Sequence, residues 1–556
     1  MPPVIDPAEL SIAAALFSSV ADEMGVALGR TAHSPNIKER KDYSCAVFDP
    51  DARLVAQAAH IPVHLGAMPT AVEAALPLAP LDPGDVVILN DPYLGGTHLP
   101  DITMVTPVFR DPDARDPALI GFVASRAHQA DVGGMSPGSM PLAQELIQEG
   151  IVIPPIKLIE RGTANKGVFD LLLRNMRAPD ERRGDLDAQL AAQRTGELRL
   201  RETVERYGSD RAATLMDALM DYAERMTRAA IEAVPDGAYE FEDALDDDGV
   251  TRDPVPIRVK ITIDGGSVHC DFTGSAPERP SSVNAVAAVT RSAVYYVVRC
   301  LLETIPGGDS VPANGGCFRP VSFTLPERSV VNCQPPRAVA AGNVETSQRI
   351  TDVVLGALAR AVPDVIPAAS SGSMNNVAIG GWDPERNRAF AYYETIGGGA
   401  GASPDHDGHD AVHTHMTNTM NTPAEALEMT YPFRLIEYAI RRHSGGGGRH
   451  RGGNGIVRTY EFLAPASVTL LTERRSIPPW GLQGGSPGAT ADNLLTSVEG
   501  AAPPNTPVTP AKLPSKTHLT VNPGDRLTLE TPGGGGWGAV SGDARTAAQP
   551  LHNTLP

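Results

Sequence analysis

Residues 180–234 are rich in Ala, Leu, Arg, Glu and Asp, and the step Gly208-Ser209-Asp210 divides them by a stop and a restart signal. This pattern predicts two long consecutive helices, closed by the breaker Pro235-Asp236-Gly237. On both sides lie short apolar runs between turn residues, such as DVVILN, ITMVTPVF and LIGFVAS before, and VPIRVKITI, SVTLLTE and RLTLET after. Helices gathered in blocks between runs of strands, rather than alternating with them, imply an α+β, multi-domain chain with mixed sheets and long helices. With 54 Gly and 50 Pro spread between periodic segments, the chain is also loop-rich.

A first helix is expected over 6–29, where Asp6 is the N-cap, Pro7 the first helical residue and Glu9 the capping-box acid, with Leu10, Leu16, Val20, Met24 and Leu28 at helical spacing. In VPIRVKITI, Ile257, Val259, Ile261 and Ile263 share one strand face, and Asp264-Gly265-Gly266 turns into SVHCDFTG as a hairpin. Further helical patterns fall near 282–303 and 345–361. The expected division is an N-terminal domain over 1–237 with the helical segment, a C-terminal α+β region over 238–540 with Gly-rich loops, and a polar, disordered tail over 541–556.

Charge narrows the function. The 47 Lys and Arg face 66 Asp and Glu, a net charge of -19, which repels a phosphate backbone and argues against nucleic acid. The N-terminus lacks a signal pattern, no apolar run is long enough to suggest a membrane span, and the five cysteines show no C-x-x-C spacing. A cytoplasmic location, no membrane partner, and neither a disulfide framework nor a thiolate zinc site are the expectations.

The chemistry concentrates in loops. NDPYLGGTHLPDITMV, residues 90–105, sets His98 and Asp101 three apart among Pro92, Gly95, Gly96 and Pro100, so irregular backbone and not a helical face fixes their geometry. SRAHQADVGG adds His128 and Asp131 at a strand end, and Asp42 precedes another strand. Imidazole and carboxylate ligands suit a divalent metal such as zinc, manganese or iron. A second group, Asp405, His406, Asp407, His409, Asp410, His413 and His415, has no familiar zinc spacing and reads equally as a hydrogen-bonded loop. SGGGGRHRGGNG (444–455) and PGGGGWG (532–538) are either anion cradles or flexible loops, the latter preferred for the second. Neither fits a phosphate-binding loop, so any ATP used belongs to a partner.

The segments IPVHLGAMPTAV, GDVVILNDPYLGGTHLPDITMVTPVF, SRAHQADVGGMSPGSM, DFTGSAP and HTHMTNTMNTPAEALE, with the first Gly-rich run, together resemble the hydantoinase B/oxoprolinase family from about residue 5 to 538. The resemblance implies a subunit that works with a hydantoinase A-type, ATP-binding partner, as in a heterotetramer, and opens a small cyclic amide such as a hydantoin, 5-oxoproline or another lactam. It implies metal ligands at Asp42, His98, Asp101 and His128. Water activated there would attack a ring amide carbon that the partner has activated by phosphorylating the lactam or imide oxygen. His64, Arg126 and Asp131 are candidates for holding ligands or moving protons, and His413 and His415 either face the same cavity or serve the loop. A ketone carboxylase subunit and a non-catalytic scaffold are the alternatives.

Overall fold

The computed structural model describes residues 5–58, 60–498 and 510–540. The expected tail, 541–556, lies outside them. The first helix, α1 (Pro7–Thr31), starts where the sequence places it, with the Asp6 side chain accepting from the Ala8 amide. Glu9 departs from its capping-box role and pairs with Arg211 instead. By length and composition α1 is apolar enough to cross a membrane, against the sequence expectation. Here Ala13, Phe17, Val20, Ala21, Met24 and Leu28 are buried within a core cluster.

A short helix, α2 (Pro35–Lys38), leads to β1 (Tyr43–Phe48) and β2 (Leu54–Gln57), then α3 (Ala67–Ala75), β3 (Val86–Leu89), β4 (Asp101–Phe109), β5 (Leu119–His128), β6 (Ile156–Glu160) and β7 (Thr163–Ala164). These strands form one antiparallel sheet in the order β2-β1-β5-β4-β3-β6-β7. β1, β4 and all of β5 but its first residue are buried, which is why they read as continuous apolar runs rather than alternating ones.

After α4 (Lys166–Asn175), the long helices α5 (Pro179–Tyr207) and α6 (Ser209–Glu232) stand as predicted, with the break at Gly208, whose φ of +78° suits only glycine without strain. α5 packs beneath the sheet and along α1. Gln189 and Gln193 on its buried face donate to the backbone carbonyls of Ile102 and Met104, so the helix grips β4 by polar as well as apolar contacts.

The hairpin is present as β9 (Val255–Asp264) and β10 (Ser267–Asp271), preceded by β8 (Gly237–Leu245) and joined by β11 (Val321–Thr324) in a four-stranded sheet. Ile257, Val259, Ile261 and Ile263 all face the core. α7 (Ala287–Leu302) and α8 (Ser347–Ala361) pack together, and α8 opens through a π-turn at Gly342–Thr346. Beyond them β12 (Asn376–Asp383), β13 (Arg388–Glu394), α9 (Ala424–Thr430), β14 (Phe433–Arg441), β15 (Gly455–Phe462), β16 (Ala466–Leu471), β17 (Asp492–Thr496), β18 (Ala511–Lys512), β19 (Lys516–Val521) and β20 (Arg526–Glu530) build two sheets, β13-β12-β16-β19 and β14-β15-β20-β17-β18. One apolar cluster runs from Ile61 to Trp537 and so holds residues on both sides of position 237.

The Gly-rich segments are neither anion cradles nor flexible loops. Stretches near 399–401, 444–453, 484–488 and 533–537 run side by side, and their amides are spent on one another's carbonyls: Gly453 on Ala400, Gly534 on Gly453, Gly446 on Gly534 and Gly536 on Ser486. The backbones approach so closely that a Cβ on Gly534 would lie 2.0 Å from the Ala400 carbonyl oxygen. Glycine is required there for packing.

Candidate metal centre

Sheet register assembles the site. β4 begins at Asp101, β5 ends at His128, and antiparallel pairing sets these two residues opposite each other. β1 pairs with the other edge of β5, so Asp42, just before β1, falls beside the same end, and the His128 amide donates to its carbonyl oxygen at 3.0 Å. His98 arrives from the loop before β4. Gly95 turns that loop at φ +94°, where a Cβ would lie 2.5 Å from the Ala71 amide nitrogen.

His98 Nε2 then lies 3.4 Å from Asp101 Oδ1. One ligand atom from each of His98, Asp101 and His128 falls within 4.8 Å of the others, and all three residues are buried. Asp42 lines the same cavity, with its Oδ2 3.8 Å from Arg40 Nη2.

The donor set fits a cation. Neither ring nitrogen of His98 has a hydrogen-bond partner among the described residues, nor does His128 Nε2. Buried imidazole nitrogens without partners are costly as they stand, and one ligand atom from each of His98, Asp101 and His128 lies close enough to the others to share a divalent metal.

Surrounding groups hold these side chains. Asp101 Oδ2 accepts from Thr97 Oγ1 and lies 3.3 Å from His64 Nε2, while His64 Nδ1 is 2.8 Å from Ser44 Oγ. His128 Nδ1 is 3.1 Å from the Asn36 side-chain amide, and its ring stacks on Tyr393 with centroids 4.4 Å apart. Burial pushes the Asp101 carboxyl up, but His98 and His64 beside it outweigh this and hold it well below the usual range. Burial raises Asp42 to about 6, against the opposing pull of Arg40. His64 and His128 are both pushed down by burial, which favours neutral imidazoles.

The other predicted residues lie outside the cavity lining. Arg126 is buried behind it, its Nε on Thr103 Oγ1 and its Nη2 on the Gly95 carbonyl, both at 2.8 Å, so it braces the loop that carries His98. Asp131 accepts from the amides of Gly133, Gly138 and Arg177 and from the Arg177 guanidinium. His413 is half-buried, and desolvation lowers it to about 4. His415, at φ +60°, sets Nε2 3.5 Å from Asp352 Oδ1 in a buried ionic network with Arg474 and Arg349. In the 405–410 group, Asp410 accepts from Arg451 and Asn454, and no metal-like cluster forms there among the described residues. Gly484-Gly485-Ser486-Pro487-Gly488 has the spacing of a serine nucleophile elbow, but it lies in the glycine layer and not on a strand-to-helix turn.

The far wall of the cavity went unread in the sequence. Asn343 and Val344 of the π-turn, Met374, Tyr393, Thr395, Met416 and Thr417 close it from the second half of the chain. Arg40 ties the two walls, donating to the Tyr393 carbonyl at 3.2 Å and to Thr395 Oγ1 at 2.8 Å.

Comparison with known proteins agrees with this architecture. The chain is 39% identical to Arabidopsis thaliana 5-oxoprolinase 1 over 96% of its own residues, but spans only 42% of that protein's length. It is 32% identical to a Pseudomonas sp. protein named as a D-/L-hydantoinase subunit, over 96% of this chain and 90% of that one. The solved structure of the ATP-dependent caprolactamase from Pseudomonas jessenii superposes with a TM-score of 0.85 at 30% identity, over 97% of this chain and 92% of the other. Residues 6–540 match the family described as hydantoinase B/oxoprolinase, and the chain belongs to that family.

Proposed function

We propose that the chain is the B-type subunit of an ATP-dependent cyclic amidase, with the cluster of His98, Asp101 and His128 and the neighbouring Asp42 as its metal site. The observation that carries this reading is that one ligand atom from each of the buried His98, Asp101 and His128 lies within 4.8 Å of the others, while nitrogens of both imidazoles lack hydrogen-bond partners among the described residues. A relative named as a hydantoinase subunit and a structural neighbour named as a caprolactamase support the substrate class, a hydantoin, 5-oxoproline or other lactam. His98, Asp101, His128 and Asp42 would hold a divalent cation, which would supply Lewis acidity and bring the ionisation of water towards neutral pH.

The chain's own residues do the rest. His64, anchored on Ser44, orients the Asp101 carboxylate, and Thr97 takes a further lone pair of the same oxygen. Asn36 sets the His128 ring. The Asn36 side-chain nitrogen lies 3.1 Å from His128 Nδ1, and its Oδ1 accepts from Arg40 Nη1 at 3.4 Å, so the carboxamide is itself held in place beside the ring. Tyr393 covers the ring face, and the buried walls exclude bulk water.

A lactam amide resists water because resonance stabilises it, so activation by ATP is needed. The sequence has no phosphate-binding loop, and the chain spans well under half of the plant relative named as a 5-oxoprolinase. Both points support ATP being bound outside these residues, and the relative named as a hydantoinase subunit supports an A-type partner that binds ATP and activates the ring. The test is product formation by the complex reconstituted with its A-type partner. ATP-dependent ring opening without bicarbonate, lost in His98→Ala and Asp101→Ala, is the expected result. Product that appears only with bicarbonate would overturn it.

A further inference from the structure

The two walls of the cavity differ in one respect. The first carries the metal-type ligands. On the second, the polar side chains are already committed: Thr395 Oγ1 accepts from Arg40, Tyr393 Oη donates to Asn376 Oδ1 at 2.5 Å, and Thr417 Oγ1 lies 3.3 Å from Thr419 Oγ1. Asn343 is the exception. It lines the cavity, it is 4% exposed, and its Oδ1 has no hydrogen-bond partner among the described residues.

A buried carboxamide oxygen left unpaired costs stability, and native structures keep few such groups without a reason. The backbone around Asn343 holds it in place. It sits in the π-turn at Gly342–Thr346, a wide turn that recurs at functional sites. Gly342 is pressed against the Asn284 carbonyl, where a Cβ would lie 1.8 Å from the oxygen, so only glycine lets the turn approach. The cavity that Asn343 faces has a volume of about 20 Å³. That is space for about one water molecule.

We propose that Asn343 is a catalytic residue that holds the attacking water, its Oδ1 accepting a hydrogen bond from that water and aiming the water oxygen at the ring carbon. The inference rests on the ring-opening reading above. The water oxygen bonds to the activated ring carbon and the carbon–nitrogen bond breaks with its electron pair going to nitrogen, which takes up both hydrogens of that water. The acyl phosphate left behind is hydrolysed by a second water to a carboxyl group and inorganic phosphate. ATP activation is the partner's separate step, so loss of aim lowers product without lowering ATP use in proportion.

Asn343→Leu, near in volume and without the acceptor, and Asn343→Asp, which keeps an acceptor oxygen, test this in the complex with the A-type partner. Ring-opened product and ADP are measured in the same samples with 5-oxoproline, hydantoin and caprolactam. The expected result for Asn343→Leu is a loss of product of about a hundredfold, more ADP formed per product, native metal content, and a melting temperature at or above that of the native chain. Asn343→Asp recovers product above the Asn343→Leu level. Native product formation in Asn343→Leu, equal losses in both variants, or a joint fall of product, ADP and melting temperature, as a structural role demands, would overturn the proposal alone. Absence of ring opening by the native complex would overturn the amidase reading and this proposal with it.

Discussion

His64 is the sharpest probe of how the centre is held. It is buried, its Nε2 lies 3.3 Å from Asp101 Oδ2, and its other nitrogen is anchored 2.8 Å from Ser44 Oγ. His64→Phe keeps the ring and removes both contacts, leaving Asp101 Oδ2 with Thr97 Oγ1 alone. Loss of a group that orients a metal ligand costs about 10- to 100-fold in affinity, or roughly 1.4–2.7 kcal/mol. Ser44→Ala removes only the anchor, so its effect is smaller, under about tenfold on the same scale. Competition against a chromophoric chelator, titrated with zinc, manganese and iron, measures both. An unchanged Kd in His64→Phe, or a loss as complete as in His98→Ala, would refute the positioning role.

Four further substitutions have outcomes that follow from the packing. Gly534→Ala sets a methyl 2.0 Å from the Ala400 carbonyl and disturbs two backbone hydrogen bonds of the glycine layer, a cost of about 3–5 kcal/mol. Gly447→Ala, with nothing within 4 Å of the added carbon, leaves the melting temperature near native. Asp131→Ala removes the acceptor for three amides and one guanidinium, and so destabilises by about 3–5 kcal/mol. Metal content per folded Asp131→Ala chain stays native, and its loss would place Asp131 in the centre. Burial holds the Glu149 carboxyl up to about 8 from 4.5, against the Val339 and Ala340 amides that donate to it. The folded state thus keeps a proton that the unfolded state has lost, so stability falls as pH rises from about 4.5 to about 8. Glu149→Gln, followed by urea denaturation across that range, flattens this fall, and an unaltered slope would contradict it.

Local signals were legible in the sequence and long-range ones were not. The Asp6 cap, the Gly208 break and the one-face pattern of Ile257 to Ile263 are decided by neighbours in sequence, and α1, α5, α6 and the β9–β10 hairpin stand where they predicted. His98, Asp101 and His128 were readable because two adjacent strands carry them in compact loop motifs, and sheet register then brings them together. Asn36, Tyr393 and Asn343 come to the site only through tertiary packing, so nothing in their local sequence marked them. The Gly-rich runs misled for a related reason. Glycine permits flexible loops and close backbone packing alike, and only the partner segments, tens of residues away, decide between them.

The central claim is that this chain binds a metal through His98, Asp101 and His128. Elemental mass spectrometry on the purified chain, beside His98→Ala and Asp101→Ala variants whose folding is checked by circular dichroism, tests it most directly. About one zinc, manganese or iron ion per chain, lost in variants that remain folded, is the result the account predicts. A native chain that takes up none of these metals after reconstitution would contradict it.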